Sequence, residues 1–289
     1  MVVEREGLER HQSKLIDNFM SKSFITRSLT ILVSVPIIWA CTYFGGFLFL
    51  IFILTLALFS VNEFYNLMMK KGYYPAYWVG NIITIFFIVF SYYSVSKNWE
   101  PAHSAILTIA ASLALMAGVF LKRAEDTIVD VAVTLLGMIY IGWFFSYFIF
   151  IRSLTDHGAY FFFLMLTIWA MDIMAYLVGK KFGRHKLAPN ISPHKTWEGA
   201  IAGFVTCIIA SEIFSNFAAI NGTHALILGL LIGLVAQLSD LVESVIKRDA
   251  GAKDSSQIIP GHGGVLDRLD SFILTAPIMY YYVVWVILR

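Results

Sequence analysis

Long apolar runs alternate with short polar segments along the chain from residue 25 onward. Each run holds about 20 residues, which is the length that crosses the hydrocarbon core of a bilayer as a helix. We therefore expect an all-α, polytopic integral membrane protein. The pattern predicts nine transmembrane helices, at residues 28–44, 46–66, 77–96, 102–121, 130–151, 159–179, 199–219, 225–246 and 270–288.

Composition agrees with this pattern and excludes an ordinary soluble domain. Only 14% of the 289 residues are charged and 58% are hydrophobic, with a mean hydropathy of +0.74. Soluble domains carry about 25% charged residues. The two cysteines, Cys41 and Cys207, both lie inside apolar runs, so a disulfide framework is not indicated. With a net charge of only +2, we expect no nucleic-acid partner.

Lysine and arginine residues lie mainly on one side of this topology. Eighteen of the 21 fall in the N-terminal segment and in the loops that would share its side, and three fall on the other side. An excess of positive residues marks cytoplasmic loops. We therefore predict a protein of the cell (inner, cytoplasmic) membrane with a cytoplasmic N-terminus and, after an odd number of helices, a C-terminus outside.

Polarity divides the chain into three regions. Residues 1–24 form a polar segment that we place in the cytoplasm, and residues 25–155 form a five-helix membrane scaffold. Residues 156–289 form a four-helix region with two cytoplasmic loops, 180–198 and 247–269. This last region is interpreted as the catalytic half, because it holds most of the acidic residues found inside the predicted helices.

These acidic side chains indicate a polar cavity that opens to the cytoplasm. A carboxylate near mid-span, such as Asp172, costs about 2.5–3.5 kcal/mol on insertion scales, so it should face water or a partner. Lysine and arginine at a helix end reach for the interface in any case, but this does not explain Asp240, which lies two turns deeper. Glu63 is an exception in the first half, and the role of Glu212 is left open. The polar stripe on the eighth predicted helix comprises Asp240, Glu243, Ser244, Lys247 and Arg248.

Asp267 and Asp270 lie one turn apart at the start of the ninth predicted helix. Acidic residues in a first turn commonly cap the helix, and this explanation would suffice for the pair alone. Together with Asp240, they would place three carboxylates at one membrane depth, where they would repel one another unless a cation bridged them. Hard oxygen ligands suit Mg²⁺, so Asp240, Asp267 and Asp270 are the predicted metal ligands.

Two polar loops supply candidate anion-binding groups. The turn at residues 261–264, with the sequence Gly-His-Gly-Gly, resembles a backbone nest before a helix, where N–H groups can hold an anion. In the other loop, Ser192 is predicted to cap a helix that begins at Pro193, which places Lys195 and Thr196 in its first turn. Lysines in these loops could also serve only as topological signals or as contacts to anionic lipid.

Residues 244–270 resemble the signature of the phosphatidate cytidylyltransferases, which are also called CDP-diacylglycerol synthases. The shared positions are Ser244, Lys247, Arg248, Lys253, Asp254, Pro260, His262, Gly263, Gly264, Asp267, Arg268 and Asp270. Upstream, the segments 172–179 and 192–199 are similar to the same family.

The resemblance implies an enzyme that transfers a cytidylyl group from CTP to phosphatidic acid and releases pyrophosphate. It implies Mg²⁺ as cofactor, leaves room for a second, monovalent cation, and implies CTP, phosphatidic acid and the lipid bilayer as partners. The residues expected in catalysis are Lys195, Lys247, Arg248, Lys253 and His262. The residues expected to bind substrate are Ser192, Thr196, Glu198, Ser244, Gly263, Gly264, Arg268 and Asp172.

Two other interpretations stay open. An ion-coupled transporter would also use intramembrane carboxylates, although it would not need a glycine-rich turn and would often show duplicated halves. A different CTP-using membrane enzyme, such as a polyprenol kinase, is a nearer rival. The G-x-x-x-G pairs at 199–203 and 229–233 predict close helix packing and are compatible with a homodimer.

Overall fold

The computed structural model describes most of the chain. The described residues are 28–97, 109, 112–113, 115–116, 127–259, 261 and 263–289. The predicted N-terminal segment 1–24, most of the fourth predicted helix (102–121) and His262 lie outside these residues. The predictions made for them are therefore untested.

Helices make up nearly all of the described structure. A π-helical turn, Met138–Trp143, joins α4 to α5, and a second, Val283–Ile287, follows α10. Both cysteines are free and buried, as the sequence predicted. In chain order the helices are α1 (Ser28–Phe44), α2 (Gly46–Lys70), α3 (Tyr77–Lys97), α4 (Thr127–Gly137), α5 (Phe144–Ser153), α6 (Ala159–Phe182), α7 (Trp197–Ser215), α8 (Gly222–Asp249), α9 (Leu266–Ile273) and α10 (Thr275–Tyr282).

Seven helical segments of the described residues are long and apolar enough to cross a membrane. Helix α1 is also apolar but shorter. All eight coincide with predicted spans, whereas the fourth predicted span falls largely outside the described residues. The total of nine and the orientation of the two termini stay predictions. The seven segments are Gly46–Lys70, Tyr77–Val95, Thr127–Ser153, Ala159–Phe182, Trp197–Ser215, Gly222–Asp249 and Leu266–Ile287.

Helices α6, α7 and α8 pack closely through small residues. A Cβ atom added to Gly199 would lie 2.6 Å from the carbonyl oxygen of Ala175, and one added to Gly203 would lie 2.9 Å from the Ala175 Cβ. A Cβ atom at Gly229 would lie 2.3 Å from the hydroxyl of Ser211. The predicted close packing at the G-x-x-x-G pairs is confirmed, and it brings the polar ends of these helices together.

A buried tyrosine fixes α2 against its neighbours. Tyr65 is fully buried, and its hydroxyl donates a hydrogen bond to the carbonyl of Thr134 at 2.9 Å. The ring fits because two neighbours lack side chains: a Cβ atom would lie 2.0 Å from the Tyr65 hydroxyl at Gly80 and 2.5 Å from its ring at Gly137. These contacts fix the position of α2 relative to α3 and α4.

The last membrane segment is broken at Leu274. The hydroxyl of Ser239 on α8 donates to the Asp270 carbonyl and accepts a hydrogen bond from the Leu274 amide at 3.3 Å. It thus takes the place of the helical bond between these two residues. A side chain inserted into the hydrogen-bond ladder causes a kink, and Pro277 follows three residues later. The insertion ties the short helix α9 to α8.

One loop forms a small β-hairpin, which departs from the expected all-α fold. Strands β1 (Lys186–Ala188) and β2 (Ser192–Thr196) pair in antiparallel fashion, with Lys186 opposite Thr196. A proline disfavours helical backbone in the residue before it, so Pro193 favours extended structure at this place. Elsewhere the described chain agrees with the predicted helical architecture.

The hairpin overturns the predicted helix start at Ser192. The N-cap of α7 is Thr196, whose hydroxyl accepts a hydrogen bond from the Gly199 amide at 3.2 Å. Threonine is a good N-cap residue, and it lies where the strand ends. Lys195 therefore projects from the last part of a strand rather than from a first helical turn.

Candidate active site

Three polar elements meet at one end of the described helices. They are the β-hairpin, the last turns of α8, and the segment 250–265 that leads into α9. Arg248 joins them, because its guanidinium group donates to the carbonyls of Ile191 and Ala252, both at 2.9 Å. The two predicted cytoplasmic loops therefore contribute to one site.

Lys195 and Asp240 form an ion pair across this site. The lysine Nζ lies 2.5 Å from Oδ2 of Asp240, and the two side chains are 27% and 26% exposed. Ser244, one turn further along α8, donates a long hydrogen bond of 3.5 Å to the other oxygen of Asp240. Sequence analysis assigned all three residues to the site, and the structure brings them together.

Lys247 is a buried cation between two carboxylates. Its ammonium group contacts Glu243 on the preceding turn of α8 and Oδ1 of Asp267 on α9, the latter at 2.7 Å. The side chain of Glu243 is fully buried and that of Lys247 is 11% exposed. A buried charge needs a partner, so this triad joins α8 to α9 and concentrates charge at the site.

Asp267 also organises the loop before α9. Its carboxylate oxygens accept hydrogen bonds from the Ser255 amide at 3.0 and 3.2 Å, and Oδ2 accepts one from the Gly264 amide at 2.8 Å. The helix-capping interpretation therefore describes part of what Asp267 does. The Gly264 amide bonds within the protein in this arrangement, so phosphate contacts of Gly263 and Gly264 stay predictions, as does metal binding by Asp267.

Asp172, Asp240 and Asp270 interact electrostatically with one another, and Arg268 is a further charge near Asp172. Carboxylate oxygens are the hard donors that suit Mg²⁺. Within the described part of the chain, no group of three or more histidine, cysteine or acidic side chains is close enough to hold a metal. The residues therefore fit the ion in their chemistry without forming a ready-made cage.

Three predicted substrate contacts have partners within the hairpin region. Oε1 of Glu198 lies 2.7 Å from Nδ1 of His185 and accepts a hydrogen bond from the His185 amide at 3.2 Å. Thr196 caps α7, and Ser192 lies opposite Ala188 in the hairpin. These contacts hold the hairpin in place, and binding of substrate by the three residues stays a prediction.

A polar cleft of about 380 Å³ opens beside the segment 250–265, which is called the signature loop below. Two lysines, one from each half of the chain, give it the charge that suits a polyanion such as a nucleoside triphosphate. Lys70 was not predicted, because its local sequence does not distinguish it from any other lysine at the end of a membrane helix. The cleft is lined by Lys70, Lys253, Asp254, Ser256 and Gln257.

Glu63 from the first half of the chain also reaches this loop. It is buried and accepts hydrogen bonds from the side chains of Ser255 and Ser256 and from the amides of Val265 and Leu266. Sequence analysis noted it only as an acidic exception in the scaffold. An isolated carboxylate in an apolar helix was the available signal, but its partners lie 192 to 203 positions away.

Tyr140 is a second first-half residue near the carboxylates. It lies in the π-helical turn between α4 and α5, and its buried hydroxyl has no hydrogen-bond partner among the described residues. Glu243, Asp270 and Asp240 are within electrostatic range of it. π-Helical turns are frequent at functional sites. Glu63 and Tyr140, both from the first half, therefore lie beside groups of the candidate site.

Comparison with known proteins assigns the chain to a family. The profile of the cytidylyltransferase family matches residues 25–286, which is nearly the whole chain. The chain belongs to the cytidylyltransferase family. This confirms the resemblance that was based on residues 244–270, and it makes the protein a nucleotidyltransferase.

Members of the cytidylyltransferase family from several bacteria are similar along most of their length. The phosphatidate cytidylyltransferase of Bacillus subtilis (strain 168) is 39% identical over 234 residues, which cover 79% of this chain and 87% of that protein. The phosphatidate cytidylyltransferase of Staphylococcus aureus (strain COL) is 34% identical over 255 residues, covering 88% and 96%. The similarity therefore includes the scaffold helices, where sequence analysis had found agreement only in hydropathy.

Proposed function

We propose that the protein transfers the cytidylyl group of CTP to phosphatidic acid, giving CDP-diacylglycerol and pyrophosphate. The observation that carries this proposal is the similarity to proteins named phosphatidate cytidylyltransferase over 79% and 88% of the chain. The site supports it, because lysine and aspartate side chains meet at one end of membrane-length apolar helices. A lipid phosphate and a water-soluble nucleotide could meet at such an edge.

The reaction needs alignment of the substrates more than it needs a protein nucleophile. An oxygen of the lipid phosphate, which is already anionic at neutral pH, attacks the α-phosphorus of CTP. The bond from this phosphorus to the oxygen bridging it to the β-phosphorus breaks, and pyrophosphate leaves with the electron pair. Positioning and neutralisation of charge supply most of the catalysis in transfers of this kind.

Cationic side chains would hold the phosphates of CTP, the leaving pyrophosphate and the lipid phosphate. The cleft that contains Lys70 and Lys253 would receive the phosphates of CTP. Lys247 and Arg248 lie where the loop meets α8 and would stabilise the leaving pyrophosphate, and Lys195 would contact the lipid phosphate. Because Lys195 and Lys247 already neutralise carboxylates, the site is held together before substrate arrives.

We further propose Mg²⁺ as the cofactor, with Asp240, Asp267 and Asp270 as its ligands and Asp172 close to them. The support is the set of hard oxygen donors and the mutual repulsion of Asp172, Asp240 and Asp270. When bound, the ion would neutralise charge on the reacting phosphates. We place this site on the cytoplasmic face of the cell membrane, where CTP is available and where lysine and arginine accumulate in the sequence.

Transfer can be tested with purified protein in mixed micelles containing phosphatidic acid. One portion of CTP carries its label in cytidine and another in the γ-phosphate, and each is assayed with Mg²⁺ and with EDTA. Cytidine label in the lipid with γ-phosphate label in pyrophosphate, only when Mg²⁺ is present, is the expected result. The γ-phosphate label in the lipid of parallel micelles that contain a polyprenol would indicate a kinase, and no label in the lipid of either kind of micelle would exclude both enzymes.

A further inference from the structure

Both carboxylate oxygens of Glu63 accept two hydrogen bonds from the signature loop. Oε1 of Glu63 accepts hydrogen bonds from the Ser256 hydroxyl at 2.5 Å and the Val265 amide at 3.0 Å. Oε2 accepts them from the Ser255 hydroxyl at 3.0 Å and the Leu266 amide at 2.8 Å. Each oxygen thus receives one serine hydroxyl and one backbone amide.

The four donors lie at the two ends of the same loop. The serines lie at the start of the segment 255–266, and the two amides lie at its end, where α9 begins. A carboxylate is well placed there, because the first amides of a helix lack partners within the helix. Glu63 therefore connects both ends of the loop to α2, which Tyr65 fixes to the scaffold.

Because Glu63 is buried, its carboxylate depends on the hydrogen bonds from the loop. Glu63 is 1% exposed, and no ion pair to it occurs among the described residues. A buried carboxylate without a cation is stable only if hydrogen bonds to its charged form replace water. Removing the loop from Glu63 would leave that charge uncompensated, so the loop and the scaffold stabilise each other.

Gly264 is shaped by the same contact. A Cβ atom at this position would lie 1.9 Å from the Ser255 hydroxyl and 2.7 and 2.8 Å from the two oxygens of Glu63. The glycine therefore admits the carboxylate and the serine at close range. This explains why a residue without a side chain lies here, independently of any contact between its amide and a phosphate.

The loop also carries the groups that hold Asp267. The Ser255 amide and the Gly264 amide both donate to the Asp267 carboxylate, which in turn pairs with Lys247. Glu63 receives its bonds from Ser255 itself and from the residue after Gly264. Ser255 therefore links Glu63 directly to Asp267, which belongs to the charged triad of the site.

We propose that Glu63 is a positioning residue: it holds the two ends of the loop, at residues 255–256 and 265–266, so that Asp267 and Lys247 keep the arrangement needed for cytidylyl transfer. It acts through the loop and does not touch the reacting phosphates. This inference rests on the proposed function for its effect on rate, whereas its effect on the loop can be measured without any reaction.

The test compares Glu63→Gln with Asp130→Asn in lipid nanodiscs. Asp130 is a matched control, because it is also a buried scaffold carboxylate. It accepts a hydrogen bond from the Tyr74 amide at 2.6 Å and has no hydrogen bond to the described residues of the loop. Hydrogen exchange of residues 255–266, the thermal unfolding midpoint, kcat, and the KM for CTP are measured for each protein. Glu63→Asp tests rescue by a shorter carboxylate, and Ser256→Ala removes one of the four donors if Glu63→Gln does not fold.

In Glu63→Gln the amide NH₂ group cannot accept a hydrogen bond from a backbone amide, so part of the loop is released. We expect faster exchange in 255–266, a kcat lower by about 100-fold and a higher KM for CTP, with a smaller loss in Glu63→Asp and in Ser256→Ala. Asp130→Asn should leave loop exchange and KM unchanged. A mere loss of folded protein would lower the maximal rate without changing KM.

Unchanged loop exchange in Glu63→Gln, or faster exchange with kcat and KM of the wild type, would overturn the proposal. If the wild type transfers no label from CTP, the proposed function fails by that result alone. The exchange data then still decide whether Glu63 holds the loop.

Discussion

The two halves of the molecule each bury a glutamate, and they stabilise its carboxylate in different ways. Glu63 in α2 accepts four hydrogen bonds from uncharged groups, whereas Glu243 in α8 is paired with the ammonium group of Lys247. Uncharged donors of a loop fix its shape whether or not substrate is bound. A lysine beside a carboxylate can also turn toward a phosphate, so the second half handles charge while the first half sets geometry.

The largest effect should come from Asp240→Asn in the second half. The substitution keeps the size of the side chain but removes the charge that pairs with Lys195 and that we propose for Mg²⁺ binding. We expect cytidylyl transfer to fall by at least about 100-fold, with monodisperse protein in detergent. Activity above about a tenth of the wild type would remove Asp240 from the proposed metal site.

Lys247→Met tests whether the buried triad in the second half supports the fold. The substitution leaves Glu243 and Asp267 without their shared cation, and breaking such a buried pair destabilises a protein by about 3–5 kcal/mol. The free energy of unfolding in micelles measures this loss.

Lys253→Met serves as the control for that experiment, since Lys253 is exposed and lines the cleft. We expect it to reduce transfer and to leave the unfolding free energy unchanged. A Lys247→Met protein as stable as Lys253→Met would show that the triad does not support the fold.

Gly264→Ala tests the contact between Glu63 in the first half and the signature loop in the second half. The added methyl group would clash with the Ser255 hydroxyl and with Glu63, and such overpacking destabilises by about 1–3 kcal/mol. We expect lower transfer and faster exchange in the loop. The double variant Gly264→Ala with Ser255→Gly should recover part of both losses, because it removes the nearest clashing atom. Absence of any recovery would favour a direct role of Gly264 in binding phosphate.

The smallest effects should distinguish two adjacent lysines at the end of α2. Lys70→Ala should raise the KM for CTP by about tenfold, because Lys70 lines the cleft. Lys71→Ala should leave this KM unchanged, because Lys71 pairs with Asp249, whose carboxylate raises the pKa of Lys71. Equal effects of the two substitutions would indicate a general influence of positive charge rather than a specific cleft.

Sequence analysis predicted the membrane helices and the family because both depend on local patterns. Apolar runs of about 20 residues reveal their own length, and the signature residues Ser244 to Asp270 lie in one stretch of chain. For Lys195 and Asp240, sequence analysis predicted that both belong to one site, but it did not predict that they form an ion pair. Its geometry depends on how the hairpin folds against α8.

The missed features depend on distant contacts or on competing local preferences. Glu63 acquires its role from serines and amides that lie far along the chain, so its own surroundings in α2 could show only that a carboxylate was out of place. At Ser192, the capping preference of serine competed with the extended preference imposed by Pro193. The strand prevailed because Thr196 could cap the helix four residues later.

The hydroxyl of Ser239 has a mechanical consequence for the carboxylates of α9. It separates α9 from the rest of the last membrane segment and bonds the carbonyl of Asp270 to α8. Lys247 adds a second attachment between the same two helices through Asp267. A shift of α8 would therefore carry both aspartates with it, and it would also act on α10 through the hydrogen bond between His224 and Tyr282.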